Sequence, residues 1–334
     1  MAEREDMMEV LDRRVQRREE RRDFFRTAFG MGAAAIGGAA ALGMATGAQA
    51  QTAPTDVDIL NLALNLEYLE AQFYAFAANG TGLNENLLTG TVGTRGQVTG
   101  GRKANLQDRA VIQYAREIAE DERLHVVALR NALTSAAIAQ PAINISPAVF
   151  TAAATASGVD LAPFGGTFDP YASDDAFLLG AYIFEDVGVT AYKGAAPLLA
   201  SADIVDAAAG ILAAEAFHAG IIRAALYRRG VDAPILRNTA DRISDGRDTL
   251  DGAVAASGPP QRTADSDQGI SPTGSGNTLA ANIVPTDANG IVFSRNSEQV
   301  HNIVYLTRNQ VTQGGFFPAG TNNANPALRR SGAN

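Results

Sequence analysis

Two short stretches of the sequence place a carboxylate and an imidazole inside otherwise apolar helical patterns. Glu122 and His125 stand three residues apart, as do Glu215 and His218, and each glutamate has an aliphatic residue four positions before it and seven after it. Residues three apart lie on one face of a helix, so both pairs belong to faces expected to form core. The chain has three histidines, and two of them occupy these matched places.

Two further glutamates form a second matched pair. Tyr74 follows Glu67 by seven residues, Tyr192 follows Glu185 by seven, and an alanine stands four positions before each glutamate. The order along the chain is therefore Glu, Glu-x-x-His, Glu, Glu-x-x-His, which indicates two copies of one helix pair. This is the pattern of di-iron and di-manganese carboxylate bundles.

The charges explain why the pattern favours a metal centre. Four unpaired carboxylates in an apolar core would repel one another and take up protons. Two divalent cations would balance the four negative charges, and one neutral imidazole would add a nitrogen ligand to each ion. Mixed oxygen and nitrogen donors suit iron or manganese, and zinc less well. The predicted ligands of two iron ions, with manganese as the alternative, are Glu67, Glu122, His125, Glu185, Glu215 and His218.

Neighbouring residues leave some roles open. Glu70 lies three residues after Glu67 and could be the ligand in its place, although the position that matches it in the third helix is Gly188. Tyr74 and Tyr192 are either core residues or donors of hydrogen bonds to the ligands.

Other polar residues nearby are not assigned to the centre. Glu117, Glu120 and Asp121 are predicted to lie on a solvated face of the second helix. His301 is predicted to be structural, in a short helix of the tail.

Four long stretches carry the helical periodicity that such a site requires, and none shows the period-two alternation of a half-buried strand. They cover residues 56–78, 106–138, 173–196 and 202–230. The predicted fold class is all-α, a four-helix bundle with long inter-helix loops. The loops cover residues 79–105 and 139–172, with a short helix predicted near 148–157 and another helix at 234–250.

The N-terminus has the layout of an export signal, with a charged start, a weakly apolar Ala/Gly stretch and the ending Ala48-Gln49-Ala50. Within it, the run from Arg21 to Arg26 resembles the twin-arginine motif. Residues 1–50 are thus predicted to be a leader and the mature protein to be periplasmic or extracellular, with no membrane contact after cleavage; the alternative is a membrane anchor. Residues 51–232 are predicted to form the bundle, and residues 233–334 an irregular accessory extension.

Composition excludes several classes of function. The net charge of −9 argues against a nucleic-acid partner. The absence of cysteine from the 334 residues excludes disulfides, thiolate metal sites and iron–sulfur centres.

Several motifs occur in an order that resembles the desiccation-related group of ferritin-like proteins. They include "LNLALNLEYLEAQFY", "GGRKAN", "FDPYAS", "FEDVGVTAYKGAAPLL", "AGILAAEAFHAGIIRAALY", "SEQVHNIVY" and "GGFFPAGTN". The resemblance implies a ferritin-like bundle with a dimetal site at the six residues named above. It also selects Glu67 over Glu70, because the first-helix glutamate of the superfamily commonly precedes a tyrosine by seven residues.

Three functions are compatible with these patterns. The first is an exported dimetal oxidoreductase of stress protection that oxidises iron(II) or reduces peroxide or O₂, with an unidentified electron donor and with a homodimer left open. The second is a structural or protective envelope protein without turnover. The third is iron storage, which the long glycine-rich first loop disfavours, since it departs from the short hairpins of cage-forming ferritins.

Overall fold

The four helices that carry the matched glutamates run through the centre of the structure, a computed structural model that describes residues 53–252 and 266–334. They are α1 (Asp56–Asn79), α2 (Arg109–Leu133), α4 (Asp174–Ala195) and α5 (Ala202–Arg229). The short α3 (Pro147–Ala156) lies in the connection between α2 and α4. The all-α prediction is confirmed, since helices are the dominant secondary structure of the described residues.

Local capping sets the helix ends. Thr55 and Asp58 form a capping box at the start of α1, and Gly80 ends the helix in the left-handed conformation, with φ of 83°. The second helix is shorter than the predicted 106–138. The Asp108 side chain accepts a hydrogen bond from the backbone N–H of Ala110 at its start, and the backbone turns to a φ of 50° at Thr134.

The bundle consists of two helix pairs. α1 packs along α2, and α4 packs along α5. α1 and α4 are buried on nearly all sides, whereas α2 and α5 each bury one stripe and expose the opposite face. α5 is long and apolar enough to span a membrane by composition alone. However, its buried stripe includes Glu215, His218 and Arg223, so it is a bundle helix with a polar inner edge.

The two long connections lie against each other and form a short strand pair that the sequence did not indicate. β1 (Val98–Thr99) pairs in parallel with β2 (Ile143–Asn144). A Cβ at Gly90 would lie 2.1 Å from the Ala139 backbone nitrogen, and one at Gly96 would lie 2.1 Å from that of Ala142. Glycine lets two backbones approach this closely, so the glycine-rich loop is fitted to the second connection.

The C-terminal residues pack on the bundle. α6 (Ile235–Asp251) follows α5, and α7 (Ser297–Val304) contacts both α4 and α6. The Asn65 side chain of α1 makes two hydrogen bonds of 2.8 Å with the backbone of Asn322 in the tail: its Nδ2 donates to the carbonyl oxygen, and its Oδ1 accepts from the N–H. The predicted boundary at residue 232 stays a prediction.

A group of buried charges joins this extension to the bundle, and we term it the arginine–aspartate cluster. Its six members, all at most 5% exposed, are Arg223, Arg247, Arg295, Asp186, Asp251 and Asp267. Arg247 donates to Asp186 at 2.8 Å and to Asp267 at 2.7 Å. Arg223 also donates to Asp186 at 2.8 Å. Three cations meet three anions, so each buried charge has an opposite charge within the cluster.

The predicted leader lies outside the described residues, which begin at Ala53.

Candidate metal centre

The structure brings all six predicted ligands together between the two helix pairs, and we term them the glutamate–histidine cluster. α1 and α4 supply one glutamate each, while α2 and α5 supply one Glu-x-x-His each. The four glutamates are at most 1% exposed, His125 is 8% exposed and His218 is 3% exposed. The buried faces of α2 and α5, which are otherwise mainly apolar, therefore carry side chains of a buried polar centre.

The six side chains fall into two overlapping groups of four. In each group, one ligand atom per residue lies within 4.8 Å of the others. The first group is Glu67, Glu122, His125 and Glu215; the second is Glu122, Glu185, Glu215 and His218.

The distances show how each imidazole faces its group. His125 Nδ1 lies 3.2 Å from Glu67 Oε2 and 3.4 Å from Glu215 Oε1. His218 Nδ1 lies 3.0 Å from Glu122 Oε1 and 3.6 Å from Glu185 Oε2. Both histidines therefore turn the same ring nitrogen toward carboxylate oxygens.

Two glutamates belong to both groups. They are Glu122 and Glu215, which come from the two Glu-x-x-His motifs and would be the shared ligands if each group held an ion. Glu67 with His125 would then complete one ion, and Glu185 with His218 the other. Two divalent cations would balance the four carboxylates.

Unpartnered atoms support this arrangement. Within the described residues, both carboxylate oxygens of Glu122 and of Glu215, together with Glu185 Oε2 and His218 Nδ1, are buried without a hydrogen-bond donor or acceptor. Buried polar atoms normally have partners, and leaving a charged one alone costs several kcal/mol. The orphaned atoms are oxygen and nitrogen donors of the two four-residue groups, so the residues fit a bound metal ion.

The pKa values of the metal-free cluster show how poorly its charges are balanced. Burial, with repulsion from Glu67, raises the pKa of Glu122 to about 8. Burial, with repulsion from Glu122, does the same for Glu215. Burial also raises the pKa of Glu185 well above its usual value. The pKa of Glu67 falls instead, because attraction and a hydrogen bond to His125 outweigh burial.

Two tyrosine side chains form hydrogen bonds between the helix pairs. The Tyr74 hydroxyl of α1 donates to Glu185 Oε1 of α4, and the Tyr192 hydroxyl of α4 donates to Glu67 Oε1 of α1. Both rings are buried. Each tyrosine therefore holds the glutamate of the other half and leaves that glutamate's second oxygen to face the centre.

Asp121 contacts the cluster from the edge of the solvated face on which it was predicted to lie. Its side chain is 42% exposed, and its Oδ2 lies 3.2 Å from His218 Nε2. A proton held between these atoms leaves the lone pair of Nδ1 directed at the carboxylates, as a metal ligand requires. Sequence spacing gave no signal, because the two residues lie on different helices. Glu117 and Glu120 are exposed as predicted.

Glu70 lies beside the cluster, outside both four-residue groups. It is 5% exposed, and burial, with repulsion from Glu215, raises its pKa well above the usual value. A Cβ at Gly188 would lie 2.3 Å from Glu215 Oε2 and 3.4 Å from Glu70 Oε1. Gly188 therefore makes room for both carboxyl groups.

Glu70 and Gly188 also line a narrow apolar crevice of about 20 Å³ between α1, α4 and α7. Leu69, Phe184 and Ile303 contribute to its walls. Glu70 is its one acidic residue, so a small polar molecule that enters meets this carboxyl group.

His301 lies apart from the cluster. Its Nδ1 is 2.7 Å from the Ser297 carbonyl oxygen and its Nε2 is 3.0 Å from Thr321 Oγ1. Burial lowers its pKa to about 4, so the ring is neutral and structural at physiological pH.

Comparison with known proteins decides the family. The profile of the ferritin-like domain matches residues 55–228, which include the four bundle helices almost entirely. The chain belongs to the ferritin-like family. The resemblance seen in the motifs is thus confirmed, and the helical bundle is a ferritin-like one.

Two relatives cover most of this ferritin-like chain. The desiccation-related protein PCC13-62 of Craterostigma plantagineum is 32% identical over 82% of the chain and 85% of its own length. The ferritin-like catalase Nec2 of Nesocodon mauritianus is 30% identical over 80% of the chain and 83% of its own length. No solved structure matches. The alignments reach well beyond the ferritin-like domain, so similarity to these relatives extends past the bundle.

The comparisons and the cluster geometry support a ferritin-like fold whose buried glutamates and histidines could hold metal. The role of each predicted ligand stays a prediction.

Proposed function

We propose that the protein binds two redox-active ions in the glutamate–histidine cluster and consumes hydrogen peroxide. The observation that carries the proposal is the doubled ligand group, in which Glu122 and Glu215 are shared and their oxygens have no other partner. The relative named as a ferritin-like catalase favours peroxide over iron(II) as the substrate. We propose iron as the metal, with manganese as the alternative, because both suit this donor set.

A pair of such ions supplies a two-electron couple, which matches the two electrons that separate peroxide from water. In disproportionation, one peroxide gives up two electrons and two protons to become O₂. A second peroxide accepts them, its O–O bond breaks, and two waters form. This balance requires no external donor, whereas net reduction of peroxide or O₂ would require one.

The chain's own residues prepare the site for a small oxidant. The crevice beside Glu70 is narrow and mainly apolar, with a volume of about 20 Å³, so its size suits only a very small molecule. Burial, with repulsion from Glu215, raises the pKa of Glu70 well above its usual value and so favours the protonated carboxyl group. Glu70 can thus hold a proton at the inner end of the crevice, next to Glu215.

Peroxide consumption by the metal-loaded protein tests the proposal. Wild type should release O₂ from peroxide with two metal ions bound per chain. Glu122→Gln and Glu215→Gln should lose both metal and O₂ release, because each removes a shared ligand. Glu120→Gln, on the exposed face of α2, is the matched control and should behave as wild type. Wild type without bound metal, or full activity in both cluster variants, would refute the proposal.

The desiccation-related relative favours a second candidate, a protective protein that retains the centre without turnover. Thermal melts with and without chelator, run beside the peroxide assay, separate the two. Metal that raises the melting temperature without peroxide consumption indicates the protective role.

We also propose that the protein is exported through the twin-arginine route and acts in the periplasm or outside the cell. The leader motif supports this, and the route suits a protein that loads metal before export. Cell fractionation of wild type beside a variant with both Arg21 and Arg22 replaced by lysine tests it. Wild type should be found outside the cytoplasm and the variant inside it.

A further inference from the structure

A second cavity lies on the side of the bundle where α1, the end of α4 and the start of α7 meet. Its volume is about 160 Å³, eight times that of the crevice beside Glu70. Its walls are mainly aliphatic, and include Leu60, Ala63 and Ala195. An engineered apolar cavity of about 150 Å³ binds benzene, so this space has the size of one aromatic ring.

One end of the cavity is polar. Arg295, Asn296 and Ser297, where the chain enters α7, lie in its lining. Arg295 is buried in the arginine–aspartate cluster, whereas Asn296 is exposed and Ser297 is half-buried. A ligand of matching chemistry is apolar over most of its surface and has a hydrogen-bonding group at one edge.

The inner wall of the cavity connects it to the metal centre. Tyr192 lines the cavity, and its hydroxyl donates to Glu67 of the glutamate–histidine cluster. Leu66, the chain neighbour of Glu67, lines the same space. One buried tyrosine ring thus stands between a cavity occupant and a predicted ligand.

We propose that this cavity binds a neutral single-ring phenol, with the ring among the aliphatic side chains and the hydroxyl group at the Ser297 end. The inference does not depend on the proposed peroxide chemistry, since it uses the cavity's size and lining alone. Binding would place the ring against Tyr192, so the occupant can shift the position of the tyrosine hydroxyl on Glu67.

Fluorine NMR with 4-fluorophenol tests the proposal on the full chain, first without metal. Wild type should show saturable binding at one site per chain. The double variant Ala63→Leu/Ala195→Leu fills the cavity from two walls and should lose at least tenfold in affinity. Ala128→Leu, on the exposed face of α2, makes the same chemical change away from the cavity and should bind as wild type.

Ligand size provides a test that does not depend on whether the double variant folds. Wild type should bind 4-fluorophenol and reject a two-ring naphthol, because the volume holds one ring. Ser297→Ala should weaken binding of 4-fluorophenol several-fold while leaving fluorobenzene unchanged.

Four results would overturn the proposal: no saturable binding, equal affinity for one-ring and two-ring compounds, unchanged affinity in a folded double variant, or equal losses for the two fluorinated probes in Ser297→Ala. Size-exclusion chromatography of each sample is run in parallel. If the double variant converts a dimer into a monomer, the cavity belongs to an interface between copies and the proposal is wrong. Loss of peroxide activity with intact phenol binding would refute only the proposed function.

Discussion

Glu185 and Asp186 are neighbours on α4, yet they belong to two buried clusters with opposite charge balance. Glu185 belongs to a group with Glu122, Glu215 and His218. Asp186 accepts hydrogen bonds from Arg223 and Arg247, both at 2.8 Å. One helix therefore turns one carboxylate toward a group in which carboxylates outnumber imidazoles, and the next toward a group in which arginines match the aspartates in number.

The difference shows when buried carboxylates stabilise the fold. In the arginine–aspartate cluster, Arg247 and Arg295 outweigh burial and hold the pKa of Asp267 well below its usual value. In the glutamate–histidine cluster, burial and mutual repulsion raise the pKa of Glu122 and Glu215 to about 8. Where arginines of the chain neutralise the buried acids, the acids stabilise the fold. Where no arginine does so, the acids can bind metal ions from solution.

The largest expected effect comes from breaking the balanced cluster. Arg247→Met leaves Asp186 and Asp267 with fewer cations in a buried site and should lower the free energy of unfolding by about 3–5 kcal/mol. Arg242→Met on the same helix, with a 63% exposed side chain, should change it by less than about 0.5 kcal/mol. Denaturant unfolding of both variants measures the difference. A loss in Arg247→Met no greater than in Arg242→Met would show that the cluster contributes nothing to stability.

Metal should have the next largest effect, through the unbalanced cluster. At a free metal concentration one hundred times the dissociation constant, one bound ion raises the free energy of unfolding by about 2.7 kcal/mol. Thermal and denaturant unfolding with and without metal should show this gain in wild type and in Glu120→Gln. The gain should disappear in Glu122→Gln. An equal gain in Glu122→Gln would place the metal elsewhere.

The two clusters should also respond oppositely to pH. Glu122 and Glu215 have pKa values of about 8 in the folded, metal-free protein, against 4.5 as the ordinary value. The folded state therefore holds more protons than the unfolded state between these limits, and metal-free stability falls as pH rises through this window. Because two groups titrate in this window, the expected loss from pH 6 to pH 7 is about 2–3 kcal/mol.

The pKa of Asp267 is lowered in the folded protein, so its effect on stability changes with pH in the opposite direction. The stabilisation that Asp267 contributes is lost only as pH falls below about 4. Urea unfolding of the protein, kept metal-free with a chelator, measures the free energy of unfolding in both pH ranges. The double variant Glu122→Gln/Glu215→Gln should reduce the pH dependence of the free energy of unfolding above pH 5 and leave it unchanged at lower pH. An unchanged slope in that variant would assign the pH dependence to other groups.

The smallest expected effect tests the crossed tyrosines. Tyr192→Phe removes the hydrogen bond to Glu67 and should weaken metal binding about tenfold, because groups that orient ligands contribute about this much. Tyr114→Phe, on α2 and outside the cluster, is the matched control. Metal titration by calorimetry measures both affinities, and equal affinities would show that the hydroxyl does not position Glu67.

The sequence predicted the parts of this architecture that depend on short-range spacing. The three-residue spacing of Glu122 and His125 placed both on one helix face, and the predicted ranges 56–78 and 173–196 match α1 and α4 to within one residue at each end. The six side chains indeed meet, although their assignment as ligands stays a prediction.

The sequence could not show contacts that depend on how helices are rotated against each other. The pairing of Asp121 with His218 and the assembly of the arginine–aspartate cluster join distant residues. The two short strands escaped prediction because two residues are too few for a period-two pattern.

The hydroxyl groups of Tyr74 and Tyr192 each donate a hydrogen bond to the glutamate of the other half of the bundle. A polypeptide of half this length would contain a glutamate, a Glu-x-x-His and a tyrosine, but its tyrosine would point away from its own glutamate. Two such polypeptides related by a twofold axis would complete one another. The single chain thus has the pseudo-twofold arrangement that such a pair would have, and the Asp121–His218 contact departs from that symmetry, because Ala214 stands at the matching position before Glu215.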